Sequence, residues 1–240
     1  MGERAQEGNG KDDLWVFGYG SLMWHPGFAY EEVRRATLVG FRRCFCIYST
    51  HHRGNPDRPG LVLGLDRGGA CHGLAYRVAP ELRQGTHEYL RAREQVSGVY
   101  RETLVPVTLD GQPHTQVLAM AYIVERCHPS YAGRLSVAEQ ARLIGATRGI
   151  SGTNLDYLIN TIEHLDSLRI AEPELNRVLT VIGANFARGQ SGERGRHSAA
   201  ALLRARQHES ITAPRLKPLE RRRFIFRRQI SAWAARSRAQ

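Results

Sequence analysis

Long apolar segments are missing from this chain of 240 residues. A membrane-spanning helix needs about 18 or more consecutive apolar residues, and because no such run occurs we expect no membrane span. Residues 1–13 are polar and mixed in charge, without the apolar core of a secretory signal. We therefore expect a cytoplasmic protein whose residues 1–13 form a disordered leader.

Cysteine is also scarce, with four residues in the chain. Cys44 and Cys46 form a C-x-C pair whose side chains would share one face of a strand, which favours two small buried thiols over a metal pair. His51 and His52 follow closely, but no spacing in the sequence fixes a tetrahedral set of ligands. We expect no metal.

The net charge is concentrated at one end of the chain. The composition, 42% hydrophobic and 24% charged, is that of a globular protein, and the formal net charge is +11. Residues 187–240 hold 14 Lys and Arg against three Asp and Glu, which leaves 20 of each sign in residues 1–186. A basic segment of this kind binds nucleic acid or anionic lipid in some proteins and is a solvated extension in most. We expect a flexible tail over 187–240, with those two partners as the alternative.

The stretch Trp15–Leu22 joins an apolar, β-favouring run to two glycines that bracket Tyr19. The pattern predicts a buried strand that ends in a tight turn. Gly18 and Gly20 allow backbone conformations closed to other residues and leave amide N–H groups open to a ligand, a geometry that suits a carboxylate or an oxyanion. An ordinary glycine turn explains the same residues. Neither the dinucleotide pattern G-x-G-x-x-G nor the P-loop pattern is present here.

A second candidate site residue lies near the end of a predicted helix over residues 80–95. Glu94 follows Leu90 by four positions, so the two side chains share one side of the helix and face inward. The negative end of the helix dipole and partial burial would both raise the pKa of Glu94, whereas Arg91 and Arg93 would lower it. A carboxyl group with a raised pKa can accept and return a proton near neutrality. The alternative is a surface glutamate paired with an arginine of the same helix.

The remaining pattern predicts strands first and helices later. Residues 61–65 and 71–78 are interpreted as a hairpin that turns at 66–69. Ser136 and Glu139 form a capping box at the start of a helix that fades at 149. Further strands are predicted at 38–48, 103–109 and 116–124, and further helices at 154–170 and 173–186. Such an order favours an α+β domain in which helices flank a small curled sheet.

Three motifs in this order strongly resemble those of the ChaC-type, glutathione-specific γ-glutamylcyclotransferases. The likeness runs over residues 14–186, where it defines one catalytic domain. Its motifs are Phe17-Gly18-Tyr19-Gly20-Ser21-Leu22, Ser49–Gly54 with Pro59-Gly60, and Tyr89–Glu94, with further likeness at Gly73–Arg77 and Asn154–Leu158. Together they are far more specific than any one of them.

The resemblance implies a small β-barrel with flanking helices that cleaves glutathione to 5-oxoproline and cysteinylglycine. By motif, residues 17–22 would bind the γ-glutamyl end, Arg53 and Gly54 would help to build the pocket, and Glu94 would be the catalytic acid and base. The substrate brings its own amine as nucleophile, so neither a metal nor an organic cofactor is expected. Two alternatives stay open: a cyclotransferase for another γ-glutamyl amide, and a non-catalytic binding protein that docks through the basic tail.

Overall fold

The fold was analysed in a computed structural model, which describes residues 13–95, 97–111 and 115–189. The predicted leader over 1–13 lies outside this part of the chain except for Asp13. The predicted tail lies outside it beyond residue 189.

Five strands close a small barrel. They are β1 (Leu14–Gly18), β2 (Glu32–Ser49), β3 (Gly60–Val78), β4 (Tyr100–Leu109) and β5 (Gln116–Val124), and their order around the barrel is β1-β3-β2-β4-β5. All neighbours are antiparallel except β1 and β5, which pair in parallel and close the barrel. The expected small curled barrel with flanking helices is confirmed.

The helices follow the predicted periodicity. They are α1 (Arg83–Glu94), α2 (Val137–Ala146), α3 (Asn154–Ser167) and α4 (Pro173–Gly189); β6 (Arg148–Gly149) and β7 (Gly152–Thr153) form a short ribbon before α3. The capping box is present, because Ser136 accepts a bond from the Glu139 amide and Glu139 accepts one from the Ser136 amide. None of the described helices is long and apolar enough to cross a membrane.

The predicted hairpin over residues 61–78 is wrong. Residues 60–78 form one continuous strand that pairs along most of its length with β2. Gly68 and Gly69 have positive φ angles of 104° and 72°, and the register shifts opposite them between Val39 and Phe41. Glycines with positive φ occur in β-bulges as well as in hairpin turns. Here they form a bulge, because β3 pairs with the long strand β2 on both sides of them.

Two large apolar clusters make up most of the core, and a smaller third one includes Cys46 and Ile47. One apolar cluster fills the barrel and includes Phe17, Leu38, Leu65 and Val107. The other joins the outside of the barrel to the helices: residues of α2, α3 and α4 at helical spacing pack against strand residues such as Phe45 and Leu63. The second cluster holds α3 against the barrel, and it contains Leu90 of α1 as well.

Candidate active site

The first strand ends in the turn that the sequence predicts. Gly18 closes β1, and a 3-10 turn over Ser21–Met23 follows, in which the amide of Met23 donates to the carbonyl of Gly20 at 2.9 Å. The first amides of such a turn have no partner inside it. The turn therefore offers main-chain donors to a ligand at this end of the barrel.

The two glycines differ in how much room there is for a side chain at their positions. Neither Gly18 nor Gly20 has a positive φ; Gly20 has φ −131° and ψ −133°. A Cβ at Gly18 would lie 3.2 Å from Cβ of Leu22 and 3.3 Å from the ring of Tyr76, whereas at Gly20 its nearest neighbour is a methyl of Leu63 at 3.8 Å. A Cβ at Gly18 would therefore crowd Leu22 and Tyr76, whereas at Gly20 there is room for one.

Three polar side chains fix the main chain of the turn. The hydroxyl of Tyr19 donates to the carbonyl of Tyr122 at 2.8 Å. The carbonyl of Tyr19 accepts a bond from Nε of Arg43. The hydroxyl of Tyr76 lies 3.0 and 2.9 Å from the carbonyls of Leu22 and Met23. Because these anchors are already in place, the amides of the turn need no reorganisation when a ligand arrives.

Three of the residues in the turn motif belong to the core. Phe17 and Tyr19 are buried in the barrel cluster, and Leu22 is buried in the cluster beneath the helices. Their side chains support the turn, which leaves its main chain and the Ser21 hydroxyl as the groups available to a ligand.

Glu94 is the last residue of α1 and points inward. Its side chain is 18% exposed, and its carboxylate lies 3.0 Å from Nε of Arg93. Burial raises the pKa of Glu94 above its ordinary value, and the positive charge of Arg93 reduces this shift without cancelling it. Arg91 takes no part, because it pairs with Glu102. The structure therefore places the carboxylate inside the protein, with its pKa raised by burial.

Arg93 connects Glu94 to the glycine turn. One terminal nitrogen, Nη2, donates to the hydroxyl of Ser21 at 3.0 Å. The other, Nη1, donates to the carbonyl of His25 at 2.6 Å and lies within 3.3 Å of that of Pro26. The end of α1 and the segment after β1 are thus held together by one guanidinium group.

Four buried or half-buried tyrosines lie close enough to Glu94 for its charge to act on their hydroxyls. They are Tyr19, Tyr100, Tyr122 and Tyr157; burial raises the pKa of each hydroxyl, and the charge of Glu94 raises it further. The hydroxyl of Tyr100 donates to the carbonyl of Leu63 at 2.7 Å. Sequence reasoning assigned no role to Tyr100, Tyr122 or Tyr157, because they lie on three different elements and only the closed barrel brings them together.

Arg53 lies beside this cluster, and Gly54 lies next to the start of β3. Nη1 of Arg53 donates to the carbonyl of Ser151 at 2.6 Å, and its guanidinium lies 4.9 Å from the centre of the Tyr157 ring. Gly54 is buried so tightly that a Cβ would lie 2.2 Å from the Gly60 nitrogen. Arg53 thus orients Tyr157, and Gly54 lets the loop pass close to β3. Among the described residues, no group of three or more His, Cys, Asp and Glu side chains could hold a metal ion.

A comparison with models of protein families identifies the family of this chain. A model of the ChaC-like proteins matches residues 14–185. The chain belongs to this family. The resemblance stated from the motifs is therefore confirmed, and the turn, the Arg53 loop and Glu94 all lie within the matched range.

Several proteins whose names state their activity are similar to this chain in sequence. The chain is 36% identical over 180 residues to the glutathione-specific gamma-glutamylcyclotransferase of Escherichia coli, covering 73% of this chain and 77% of that one. It is 38% identical over 154 residues to the human glutathione-specific gamma-glutamylcyclotransferase 1, covering 63% and 69%. A crystal structure of the glutathione-specific enzyme from yeast matches with a TM-score of 0.65 and 25% identity over 72% of this chain and 97% of that one.

Proposed function

We propose that this protein cleaves glutathione by intramolecular aminolysis, with Glu94 as the group that moves the proton. The observation that carries the proposal is the position of Glu94: a buried carboxylate with a raised pKa, tied through Arg93 to the glycine turn. The names of the family relatives support glutathione as the substrate. The cytoplasmic location stays a prediction from the sequence.

In the proposed reaction the substrate attacks itself. The neutral α-amine of the γ-glutamyl residue adds to the γ-carbonyl carbon, and a five-membered ring closes. The bond from that carbon to the cysteinyl nitrogen then breaks, which gives 5-oxoproline and cysteinylglycine. The site needs to hold the amine and the carbonyl in attacking geometry, and amides of the turn at Gly18–Ser21 would hold the substrate carboxylate or the oxyanion that forms.

Glu94 has to be ionised at the start of the cycle. Its carboxylate takes the proton that the amine loses on attack and returns it to the departing cysteinyl nitrogen. A general acid and base works best when its pKa is near the working pH, and burial moves the pKa of Glu94 in that direction. The positive charge of Arg93 lowers the pKa of Glu94 and so favours the carboxylate, the form that accepts the proton.

The test replaces Glu94 by Gln, which keeps the size of the side chain and removes its proton chemistry. We expect 5-oxoproline formation from glutathione by purified protein to fall by about 10²–10⁴-fold, the usual contribution of a general acid and base, with KM little changed. Glu88→Gln, at an exposed position of the same helix, is the matched control and should keep full turnover. Near-normal turnover of Glu94→Gln would remove Glu94 from its role.

Substrate choice is tested separately. Glutathione, γ-glutamyl dipeptides and γ-glutamylamines are compared at equal concentration for release of 5-oxoproline. We expect glutathione to give the highest kcat/KM; a higher value for another γ-glutamyl amide would keep the chemistry and change the substrate. Failure of the whole panel would leave a binding protein with the fold of the family.

A further inference from the structure

A cleft of about 610 Å³ opens beside β2 and β3, apart from the residues placed in the candidate active site. Its polar lining consists of Arg42, Asp66, Arg67, Arg126, Tyr131 and Arg134. A volume of this size is typical of sites for small molecules. None of these side chains has a part in the proposed reaction.

The bulge between the two strands shapes the cleft. Gly68 and Gly69, both with positive φ, lie at its edge, beside the register shift at Val39 and Phe41. After the shift, Phe41 pairs with Arg67 and then Arg42 pairs with Asp66 across the strands. Bulges re-aim side chains and recur beside functional sites, and this one sets Asp66 and the arginines around a common hollow.

Asp66 supplies the one carboxylate of the lining, and it is fully engaged. It is 1% exposed, and it accepts bonds from Nε of Arg126 at 2.7 Å, the hydroxyl of Tyr131 at 3.1 Å and the amide of Arg67 at 2.9 Å. Nη2 of Arg42 lies 3.6 Å away. Asp66 therefore organises the lining and neutralises one positive charge.

The arginines exceed what Asp66 can neutralise. Four guanidinium groups face one carboxylate. In the described part of the chain, the exposed side chains of Arg67 and Arg134 have no partner. An oxyanion in the cleft would accept hydrogen bonds from these two guanidinium groups.

We propose that this cleft binds a small polyanion through phosphate groups, separately from the γ-glutamyl substrate. Guanidinium groups bind phosphate through paired N–H donors. The excess of three positive charges favours a ligand with several negative charges, such as pyrophosphate or the phosphate chain of a nucleotide. A cleft of about 610 Å³ has room for a small ligand of this kind.

The experiment measures binding of inorganic pyrophosphate to the full chain by calorimetry, at low and at physiological salt. We expect saturable binding at one site, and at least tenfold weaker binding in Arg67→Gln/Arg134→Gln. These two side chains have no partner in the described structure, so their loss should leave the melting temperature unchanged. The control is Arg83→Gln/Arg142→Gln, which removes the same charge from exposed positions of α1 and α2 and should bind like the unaltered chain.

Three results would overturn the proposal. Equal binding by the cleft variant and the unaltered chain would place the anion outside the cleft. A raised KM for glutathione in the cleft variant would place the cleft in the substrate site. If the cleft variant loses binding to a short RNA but still binds pyrophosphate, the ligand of these arginines is a polymer. ADP and adenosine serve as further probes, and binding of ADP without binding of adenosine is the result expected of a site for phosphate.

Discussion

Glu94 is a buried carboxylate beside a single cation, and its charged form is less stable in the fold than in water. Because its pKa is higher in the folded than in the unfolded protein, its effect is neutral below the unfolded pKa and becomes destabilising as pH rises through the folded pKa. The free energy of unfolding of Glu94→Gln should therefore be higher than that of the unaltered chain at neutral pH. In acid this difference should vanish.

Denaturant unfolding at several pH values measures this difference. Glu88→Gln is again the control, since that side chain is exposed. A variant that is less stable than the unaltered chain at neutral pH would show that the bond to Arg93 outweighs burial.

Gly20 gives a residue-scale test of the turn. A Cβ there meets only a methyl of Leu63 at ordinary contact distance, so the free protein has room for Gly20→Ala. If the substrate approaches the main chain of the turn, the methyl group of the introduced alanine obstructs it. We expect a melting temperature close to that of the unaltered chain and a kcat/KM for glutathione at least about tenfold lower, which corresponds to about 1.4 kcal/mol.

Gly18→Ala provides the contrast, because its Cβ would crowd Leu22 and Tyr76 in the protein itself. That variant should lose stability as well as activity. Full activity of Gly20→Ala would mean that the substrate does not touch the turn at this residue.

At the scale of elements, β2 and the segment before α4 are joined by an ion pair whose arginine is buried and whose glutamate is 21% exposed. The side chain of Arg43 is fully buried and pairs with Glu172, and it also donates to the carbonyls of Tyr19 and His72. Arg43→Leu would leave a carboxylate and two carbonyls without their donor. We expect a loss of about 3 kcal/mol in the free energy of unfolding, as when one partner of a buried pair is removed.

Arg35→Leu is the matched control on the same strand. Arg35 pairs with Asp110 at 3.2 Å, but both side chains are more than 40% exposed, and such surface pairs contribute less than about 1 kcal/mol. Thermal and denaturant unfolding of the two variants would separate the cases. Equal losses would mean that the burial of Arg43 is of no energetic importance.

The sequence predicted those elements whose signal is local. The strand 116–124 and the capping box at Ser136 were found where the structure has them, because alternation and cap chemistry depend on neighbours in the chain. The continuous strand β3 was missed, since Gly68 and Gly69 are compatible with a turn until the pairing with β2 is known. The inward position of Glu94 followed from its distance to Leu90, whereas the tyrosines around it depend on barrel closure.

At the scale of the whole molecule, the charge is divided between two parts of the sequence. Residues 1–186 are balanced, and residues 187–240 carry the entire formal excess. The described structure follows α4 to Gly189, so a chain that ends after residue 189 keeps this helix whole. We expect that truncation to leave turnover of glutathione unchanged and to weaken retention on nucleic acid, more at low salt than at high salt.

A full-length variant tests whether the charge of residues 190–240 or their presence is responsible for retention on nucleic acid. Replacing the arginines at 221–223, 227 and 228 by Gln removes the densest basic block and should reproduce most of the loss of retention. Turnover lost together with the melting temperature in the truncated chain would instead give residues 190–240 a part in the stability of the domain.

The parallel pairing of β1 with β5 has a consequence for biosynthesis. Trp15 and Val16 pair with Ala119 and Met120, about one hundred positions later in translation. At 5–20 residues per second, the first strand emerges from the ribosome on the order of ten seconds before its last neighbour exists. During that interval an apolar N-terminal segment is exposed on the nascent chain, where chaperones can bind it. The barrel is therefore completed late, with its oldest and youngest strands side by side.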